Sequence, residues 1–595
     1  MNATSKNRLL LLVPVIALAA VPFVFGSFTV SLFNDIGMAA LVVLGLVLLS
    51  GVGGVTSFGQ AAFVGIAAYS SAWLNTHLGL SPWIGLPFAL LVTTVSAVLI
   101  GILTLRLGGH YLPLSTIAWG LSVPLLFGNI ATLGRHSGIS GIAPISVGGW
   151  QFSSSEAVFY VIWILVGLVT VFSYRLLDSR MGRVIRAVRG GKVLLASFGA
   201  DIFRVRLALF VLSAVFAAFS GWLYAHANRF VSPAPFSLHA SIDYMFMMVV
   251  GGLGQLAGGI AGTTIVIALK SVLQDILPLF STHAAQIQAV VFAILFILLL
   301  HHARGGVLSL ASRFIGTRSG GGAPAAISGE PVEPLPRRAL PAKGEVLLSV
   351  DGVSKHFKGL IAVNQVGFDV RAGEIVGLIG PNGAGKSTMF NLLTGTLNLT
   401  AGRIAFLGKD ISGKSQRDIA LMGMARTFQH VKLRPQMSIL DNIALGAHAR
   451  GRAGYLSGGF GFDAQEERRI RAEAMHQIER IGLAGREHEL AGSMPLGTQR
   501  IIEIARALAS DPVLLILDEP AAGLRKGEKQ ALGDLLGRLR AEGVTILIVE
   551  HDMDFVMKLV DRLVVMNFGT KLFEGAPQDA RADKGVRAAY LGDAA

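Results

Sequence analysis

The chain has 595 residues, only 15% of them charged, and its mean hydropathy of +0.60 is too high for an average soluble protein. It contains no cysteine, which excludes disulfides, cysteine–zinc sites and thiol catalysis. The formal net charge is +14, and nucleic-acid binding is one interpretation of it. Because the arginines cluster beside apolar segments, we favour basic cytoplasmic loops of a membrane protein and expect no nucleic-acid partner.

The N-terminal half consists of apolar runs that predict an all-α membrane domain with about ten spans. The run at 9–25, preceded by Lys6 and Arg8, has features of a signal peptide, but we interpret it as a retained helix because further spans follow at once. The segment 241–254 is short, and a broken or re-entrant piece would fit it. The other predicted spans are approximately 37–53, 59–77, 83–105, 110–131, 157–177, 207–228, 256–276 and 284–302.

The loop between Tyr174 and Leu207 carries eight basic residues against two acidic ones, which predicts a cytoplasmic position. Arg106 and Arg304 follow other spans and predict the same side. The loop is long enough for a helix outside the membrane, so it is either a docking helix for the soluble half or a solvated loop that only fixes topology. Its apolar candidates for docking contacts are Ala187, Leu194, Leu195, Ala196 and Phe198.

Two features inside the spans leave alternatives open. Glycines are dense at 51–59 and 251–262, where they either let helices pack closely or mark helices broken around a transport path. Asp243, near a span end, is either a functional residue or a hydrated one at the interface.

Residues 313–344 are rich in glycine and proline, which predicts a flexible linker. The predicted domains are therefore a membrane domain at 1–312 and a soluble domain at 345–595, joined by this linker.

The soluble half contains a phosphate-binding pattern, G-x-x-x-x-G-K-S, beginning at Gly380. An apolar run at 375–379 precedes it as a predicted buried strand, and a helix is predicted from Lys386 to Leu393. Glycines let backbone N–H groups face phosphate oxygens, and the helix N-terminus adds positive partial charge. Lys386 is predicted to reach the β- and γ-phosphates and Ser387 to ligate Mg²⁺. The predicted phosphate-binding residues are Asn382, Gly383, Ala384, Gly385, Lys386, Ser387 and Thr388.

A second set of candidate residues follows two further predicted strands. The run from Leu514 ends in Asp518, which suits a Mg²⁺ shell, and Glu519, which can polarise an attacking water. The strand predicted at 545–549 leads to His551, which can contact the γ-phosphate.

Together these motifs resemble the nucleotide-binding domain of ABC transporters, over roughly 345–580 and in the expected order. The resemblance implies an α/β P-loop ATPase that uses ATP and Mg²⁺. The roles it implies are adenine stacking for Phe357, the Q-loop contact to Mg²⁺ and the membrane domain for Gln429, Mg²⁺ binding for Asp518, catalysis for Glu519, the D-loop for 521–524, and the switch histidine for His551.

The signature motif of that family has two candidates in this chain. The literal L-S-G-G at 456–459 is interpreted as a decoy, because Phe460-Gly461-Phe462 does not continue as a helix. The stretch from Met494 to Arg500 leads into a good helix before Asp518, and there Gly497 and Thr498 are predicted to contact the nucleotide of a partner domain. Pro495 replaces the usual serine, which removes one hydroxyl donor and leaves the activity of this half-site open.

The membrane half resembles the permeases of branched-chain amino-acid ABC importers, on the residues 49–51, 57–63, 179–183 and 249–254. In that family permease and ATPase are generally separate chains, and here they occur in one. The resemblance implies a bacterial inner-membrane importer with a cytoplasmic ATPase domain, a second related permease and ATPase (or a homodimer), and an extracytoplasmic solute-binding protein. Urea, short amides and aromatic or other carboxylates are alternative solutes, and a weakly hydrolysing nucleotide-gated membrane protein is an alternative class.

Overall fold

The computed structural model describes residues 16–107, 111–279, 284–302, 305–307 and 332–591. The chain divides into two compact units, one of Met1–Leu176 and Phe203–Gly322, the other of Leu177–Ile202 and Ala323–Ala595. Lys6, Arg8, Arg304 and residues 313–331 of the predicted linker lie outside the described residues. The domain boundaries at 312 and 345 stay predictions.

The first unit is helical, as the apolar runs predict. Residues 16–24 are helical, and the helices that follow are, in chain order, α1 (Ser27–Leu46), α2 (Gln60–Leu78), α3 (Pro82–Thr104), α4 (Tyr111–Asn129), α5 (Ser155–Asp178), α6 (Arg180–Ala187), α7 (Lys192–Ala196), α8 (Ile202–Asn228), α9 (Leu238–Gly251), α10 (Leu256–Ile276) and α11 (Ala284–His302). Of these, α6 and α7 belong to the second unit. Within the described residues, six helical stretches are long and apolar enough to cross a membrane.

The nine predicted spans that follow the run at 9–25 each coincide with a helix in the described residues. The largest difference is in α1, which begins at Ser27 instead of 37 and continues through a π-helical turn at Val47–Val52. The polar residues Asn34 and Asp35 lower the local hydropathy, so the apolar pattern alone starts too late. The short helix α9 ends at Gly251, and Gly252 follows with φ +116°.

The glycine-rich segments bring helices close together. A methyl group on Gly251 would lie 1.8 Å from the Gly258 carbonyl oxygen, and one on Gly262 would lie 2.1 Å from the Met247 carbonyl oxygen. Side chains at these positions would push α9 and α10 apart. These contacts support the close-packing interpretation of the glycines.

The second unit is an α/β domain with two sheets. Its strands are β1 (Val346–Phe357), β2 (Leu360–Arg371), β3 (Ile375–Ile379), β4 (Ala401–Phe406), β5 (Lys409–Asp410), β6 (Met424–Arg426), β7 (Leu514–Asp518), β8 (Thr545–Val549), β9 (Arg562–Asn567) and β10 (Thr570–Gly575). The larger sheet has the order β6-β7-β8-β3-β9-β10 and is parallel apart from the β9–β10 pair. The smaller sheet is antiparallel, with the order β2-β1-β4-β5.

The larger sheet is covered on both faces, which explains its continuous apolar strands. Leu514 and Ile516 of β7 pack in one core cluster, whereas the alternate residues Leu515 and Leu517 pack in the other. The helices of this unit after β3 are α12 (Lys386–Leu393), α13 (Gln416–Leu421), α14 (Ile439–Gly446), α15 (Tyr455–Phe460), α16 (Ala464–Arg480), α17 (Leu496–Leu508), α18 (Lys526–Ala541), α19 (Met553–Leu559), α20 (Pro577–Ala582) and α21 (Lys584–Leu591). The sheet thereby brings the carboxyl ends of β3, β7 and β8 to one edge, where the candidate site lies.

Candidate functional site: a nucleotide cradle and a docked loop

The phosphate-binding loop connects β3 to α12, as its pattern predicts. Gly380 and Gly385 have φ values of +155° and +95°, which side chains rarely adopt. A Cβ at Gly380 would also lie 2.2 Å from the Met566 carbonyl oxygen, and one at Gly385 would lie 2.4 Å from that of Ala362. The loop therefore needs glycine at both positions for conformation and for space.

Lys386, the first residue of α12, is buried and folds back over the loop. Its Nζ donates to the carbonyl oxygens of Gly380, at 2.7 Å, and Pro381, at 2.9 Å. Burial lowers the pKa of Lys386, while the nearby charges of Glu519 and Asp518 act in the opposite direction. The ammonium is thus held at the mouth of the loop, where a phosphate can replace the carbonyl partners.

The two carboxylates at the end of β7 differ in environment. Asp518 is buried, and its burial raises its pKa to about 6. Glu519 is partly exposed, and its backbone has φ +45°, in the left-handed region. Asp518 is therefore suited to hold a cation, and Glu519 is suited to face a water molecule.

Three predicted catalytic residues come together around Glu519. Gln429 Nε2 donates to Glu519 Oε2 at 3.2 Å, and His551 Nδ1 lies 4.0 Å from Glu519 Oε1. They come from three separate parts of the chain: the segment after β6, the end of β7 and the residues after β8. The parallel order of β6, β7 and β8 is what places them at one edge.

Sequence reasoning missed Glu550, a buried residue that accepts hydrogen bonds from the backbone of two segments beside this group. Its side chain is fully buried; Oε1 accepts from the Ala521 N–H at 2.6 Å and Oε2 from the His551 N–H at 3.1 Å. Glu550 therefore fixes both the predicted D-loop and the predicted switch histidine. The only sequence signal for this role was its place directly before His551.

Sequence reasoning also missed two arginines, Arg426 and Arg500. Arg426 is buried against the rings of Phe390 and Phe428 and donates to Thr394 Oγ1 at 2.8 Å, so it connects α12 to the segment that carries Gln429. Burial lowers its pKa to about 10. Arg500, on α17, donates to the main-chain oxygen of Glu519 at 2.8 Å.

Phe357 lies at the end of β1, in the turn that connects β1 to β2. The residue is 40% exposed, and Lys355 Nζ lies 5.1 Å from the centroid of its ring. Two residues beyond that turn, Ala362 approaches Gly385 of the phosphate-binding loop. This open ring beside the loop is compatible with adenine stacking, and that role stays a prediction.

The two candidate signature sequences have different surroundings. Leu456 to Gly459 lies in α15, a six-residue helix that ends at Phe460, and a methyl group on Gly458 would lie 2.7 Å from Ser179 Oγ. Gly497 lies in the first turn of α17, a 13-residue helix that begins directly after Pro495. The longer helix has the N-terminus that a phosphate contact requires, as expected for the 494–500 candidate.

The basic loop is packed into the second unit rather than solvated. In α6, Arg183 pairs with both carboxylate oxygens of Glu467, and Arg186 NH1 lies 3.1 Å from Asp441 Oδ2. Burial tends to lower the pKa of Arg183, but Glu467 raises it above its usual range. The five apolar candidates for docking contacts are all buried: Ala187, Leu194, Leu195, Ala196 and Phe198.

Main-chain contacts extend the docking surface, defined here as Leu177–Ile202 with the residues it contacts. Arg180 NH1 donates to the carbonyl oxygen of His448 at 2.6 Å, and Arg417 Nε donates to that of Gly199 at 2.9 Å. The Phe198 ring lies 5.0 Å from the guanidinium of Arg506, on the same helix as Gly497. The docking surface therefore contacts the helix that begins at the predicted signature motif.

Family models match both halves of the chain, and curated relatives match part of it. A family model described as a branched-chain amino acid transport system permease component matches residues 28–300, and an ABC transporter model matches residues 363–522. The high-affinity branched-chain amino acid transport ATP-binding protein LivG of Salmonella typhimurium is 43% identical over 253 residues, which are 42% of this chain and 98% of LivG. The corresponding protein BraF of Pseudomonas aeruginosa is 41% identical over 251 residues, with 42% and 98% coverage. A crystal structure of a nucleotide-free ATP-binding cassette from an ABC transporter has 31% identity and a TM-score of 0.38, and it covers 42% of this chain and 100% of that chain.

A phosphate-binding loop, an acidic strand end and a helical permease region in one polypeptide define an ATP-hydrolysing ABC transporter. The chain carries both a permease match and an ATP-binding match. It belongs to the branched-chain amino acid ABC transport family.

Proposed function

We propose that the chain is a fused permease and ATPase half of an importer that moves branched-chain or related amino acids across the bacterial inner membrane. The permease domain is 1–312, the linker 313–344 and the cytoplasmic ATPase domain 345–595. The observation that carries the proposal is the docking surface: a loop between two apolar helices, α5 and α8, is built into the unit that contains the phosphate-binding loop. A polypeptide joined in this way can turn ATP hydrolysis into movement of its own helices.

The residues at the edge of the larger sheet fit ATP and Mg²⁺. The donor set of Ser387, Gln429 and Asp518 supplies hard oxygen ligands, which Mg²⁺ prefers. Within the described residues there is no group of three or more His, Asp or Glu side chains that could hold a metal, so phosphate and water oxygens would complete the shell. Burial raises the pKa of the Asp518 carboxyl group to about 6, and a bound cation would provide its counter-charge.

Each residue has a distinct task in hydrolysis. Ser387, Gln429 and Asp518 would hold Mg²⁺, which when bound would neutralise negative charge on the phosphates. Lys386 holds the phosphates, and Glu519 accepts the proton of the attacking water. Gln429 orients the Glu519 carboxylate through its 3.2 Å hydrogen bond, and His551, whose Nδ1 lies 4.0 Å from the same carboxylate, would contact the γ-phosphate.

The proposed assembly contains two ATPase domains, because each phosphate-binding loop requires a signature helix from a partner. Gly497 and Thr498 in the first turn of α17 provide backbone N–H groups for the partner's nucleotide. The partners are a second related permease and a second ATPase subunit, with a homodimer as the alternative. An extracytoplasmic solute-binding protein delivers the solute.

The test is ATPase activity of the full chain in membranes, with and without the candidate partner subunits, binding protein and solute. We expect turnover that the loaded binding protein stimulates, because solute delivery closes the two ATPase domains. Stimulation by urea, an amide or a carboxylate instead of an amino acid would support the transport function but assign a different solute. ATP binding without turnover in any assembly would contradict the proposal and favour a nucleotide-gated membrane protein.

A further inference from the structure

The membrane unit contains a cavity of about 440 Å³ among α1, α8, α9 and α10. This volume lies within the range of ~300–1,000 Å³ that is usual for small-molecule sites. Part of its wall is apolar, with Phe28 and Leu32 from α1 and Met247 from α9. All of its lining residues belong to one compact unit.

Among the described residues, three charged side chains line this cavity: Asp35, Asp243 and Lys270. Lys270 Nζ lies 2.5 Å from Asp243 Oδ2, so these two charges compensate each other. Asp35 faces the cavity as an exposed residue, and its carboxylate has no hydrogen bond or ion pair within the described part of the chain. The cavity therefore contains one carboxylate more than it has cations.

The position of Asp35 makes this excess costly. Asp35 is the ninth residue of α1, about 12 Å along the helix at ~1.5 Å per residue. Ionisable residues within a candidate membrane span are expensive unless they face a polar cavity and meet a partner. A solute that carries an ammonium group would provide that partner.

We propose that this cavity is a solute-binding site that recognises an α-amino acid by its zwitterionic head. Asp35 binds the ammonium group, and Lys270 binds the carboxylate with the donors that Asp243 leaves free, since a lysine ammonium has three. The apolar side chain of the solute packs against Phe28, Leu32 and Met247. The proposal rests on the proposed transport function and specifies its solute class.

The cavity also discriminates between the candidate solutes. Urea and short amides have no charge to offer Asp35, and a carboxylate without an ammonium group would add a second uncompensated negative charge. An apolar α-amino acid provides an ammonium group for Asp35, a carboxylate for Lys270 and an apolar side chain for the wall, and as a zwitterion it leaves the net charge of the cavity unchanged.

The location suits a solute that arrives from outside. The lining residues lie towards the Ser27 end of α1, the Asn228 end of α8 and the Ile276 end of α10. Because the loop before α8 is predicted to be cytoplasmic, these ends are predicted to be extracytoplasmic. The proposed binding protein would release its solute on that side.

Thermal unfolding of the purified full chain in detergent, without ATP, tests the site. The probes are L-leucine, 4-methylpentanoate, which lacks the ammonium group, and isoamylamine, which lacks the carboxylate, all at millimolar concentration. We expect L-leucine to raise the Tm most, because ligands that bind only the folded state stabilise it. Asp35→Asn should weaken the apparent affinity for L-leucine about tenfold or more, the loss typical of one charged hydrogen-bond partner, and Asp35→Glu should restore part of it.

Glu156→Gln is the matched control, because it removes one carboxylate from the same unit outside the cavity. It should respond to L-leucine as the unchanged chain does. Equal stabilisation of Asp35→Asn and the unchanged chain, equal effects of 4-methylpentanoate and L-leucine, or no effect of L-leucine would overturn the inference. Failure of ATP-dependent uptake with L-leucine binding intact would instead overturn the proposed transport function.

Discussion

The nucleotide site and the docking surface, both in the second unit, differ in how their charged side chains are paired. In the nucleotide site, Lys386 donates hydrogen bonds to main-chain carbonyl oxygens, and Asp518 is buried and has a raised pKa. In the docking surface, Arg183 lies against both carboxylate oxygens of Glu467, and only 1% of its side chain is exposed. In the nucleotide site the charged groups are available to bind a ligand, whereas in the docking surface they are already paired with each other and join two segments of the chain.

The difference teaches how to separate catalytic from structural charges in this chain. Changes in the nucleotide site should alter turnover with little effect on stability, because few internal contacts are lost. Changes in the docking surface should alter stability and transport before they alter basal turnover, because a buried charge is left without its partner.

The largest effect is expected for Lys386→Ala, which should abolish ATP binding or turnover because it removes the ammonium held at the phosphate-binding loop. The measurement is ATPase activity together with nucleotide binding in membranes. Lys409→Ala, at an exposed lysine of β5, is the control and should leave both unchanged. Unchanged turnover in Lys386→Ala would refute the phosphate-binding role.

Glu519→Gln should retain ATP but lower turnover about 10²–10⁴-fold, the usual contribution of a general base, if the composite site that contains it is the active one. Single-turnover hydrolysis with labelled ATP separates binding from chemistry. Glu489→Gln changes an exposed glutamate of the same unit and serves as the control. A variant that hydrolyses ATP normally would assign the base to another residue.

Gly497→Asp should remove most turnover of the assembled transporter, because it places a carboxylate where the partner's phosphate is expected. The new side chain would also lie beside Glu528, whose Oε1 would be 2.3 Å from the new Cβ. Ser457→Ala, in the L-S-G-G sequence against the docking surface, should change turnover little. Comparing ATPase rates of the two variants in the full assembly tests the choice of signature motif. Comparable losses would show that 456–459 is the functional motif.

Arg183→Met should destabilise the second unit by about 3 kcal/mol, the lower end for a broken buried ion pair, because Arg471 still pairs with Glu467. Thermal unfolding measures this loss, and solute uptake should fall further than basal ATPase activity. Arg403→Met breaks an exposed pair with Asp410 and should cost less than about 1 kcal/mol. Equal losses in the two variants would contradict the structural role of the docking surface.

The smallest expected effect is a change in the pH dependence of stability and concerns His448. Burial lowers the pKa of His448 to about 3, and the charges of Arg180, Arg183 and Arg417 add to the decrease. The unfolded chain takes up a proton below about pH 6.5, whereas the folded one does so only near 3, so stability falls as pH decreases through 6.5. The slope is about 1.4 kcal/mol per pH unit. His448→Gln should flatten the Tm profile between about pH 7.5 and 5, and the exposed His476→Gln should not.

The parts of the fold that depend on local pattern were predictable from the sequence. The phosphate-binding loop lies between β3 and α12 as predicted, because its glycines and flanking apolar run are adjacent in the chain. The helices of the membrane unit followed from apolar length for the same reason. The start of α1 did not, because Asn34 and Asp35 interrupt the apolar pattern without interrupting the helix.

Residues whose partners lie far away in the chain could not be predicted. Glu550 was visible beside His551, but its contact with the Ala521 N–H depends on the pairing of β7 and β8. The basic loop left docking and solvation equally open, since arginines suit both. The carboxylates of α14 and α16 that pair with these arginines support docking, and they lie more than 250 residues further along the chain.

Arg500 has a consequence for how two hydrolytic sites would work together. It lies three residues after Gly497 on α17 and holds the main-chain oxygen of Glu519, a residue in the left-handed region. When Gly497 engages the nucleotide of a neighbouring ATPase domain, any tilt of α17 pulls on the peptide that aims this chain's own Glu519. Occupancy of the neighbouring domain's site would thereby change the geometry of Glu519 in this one.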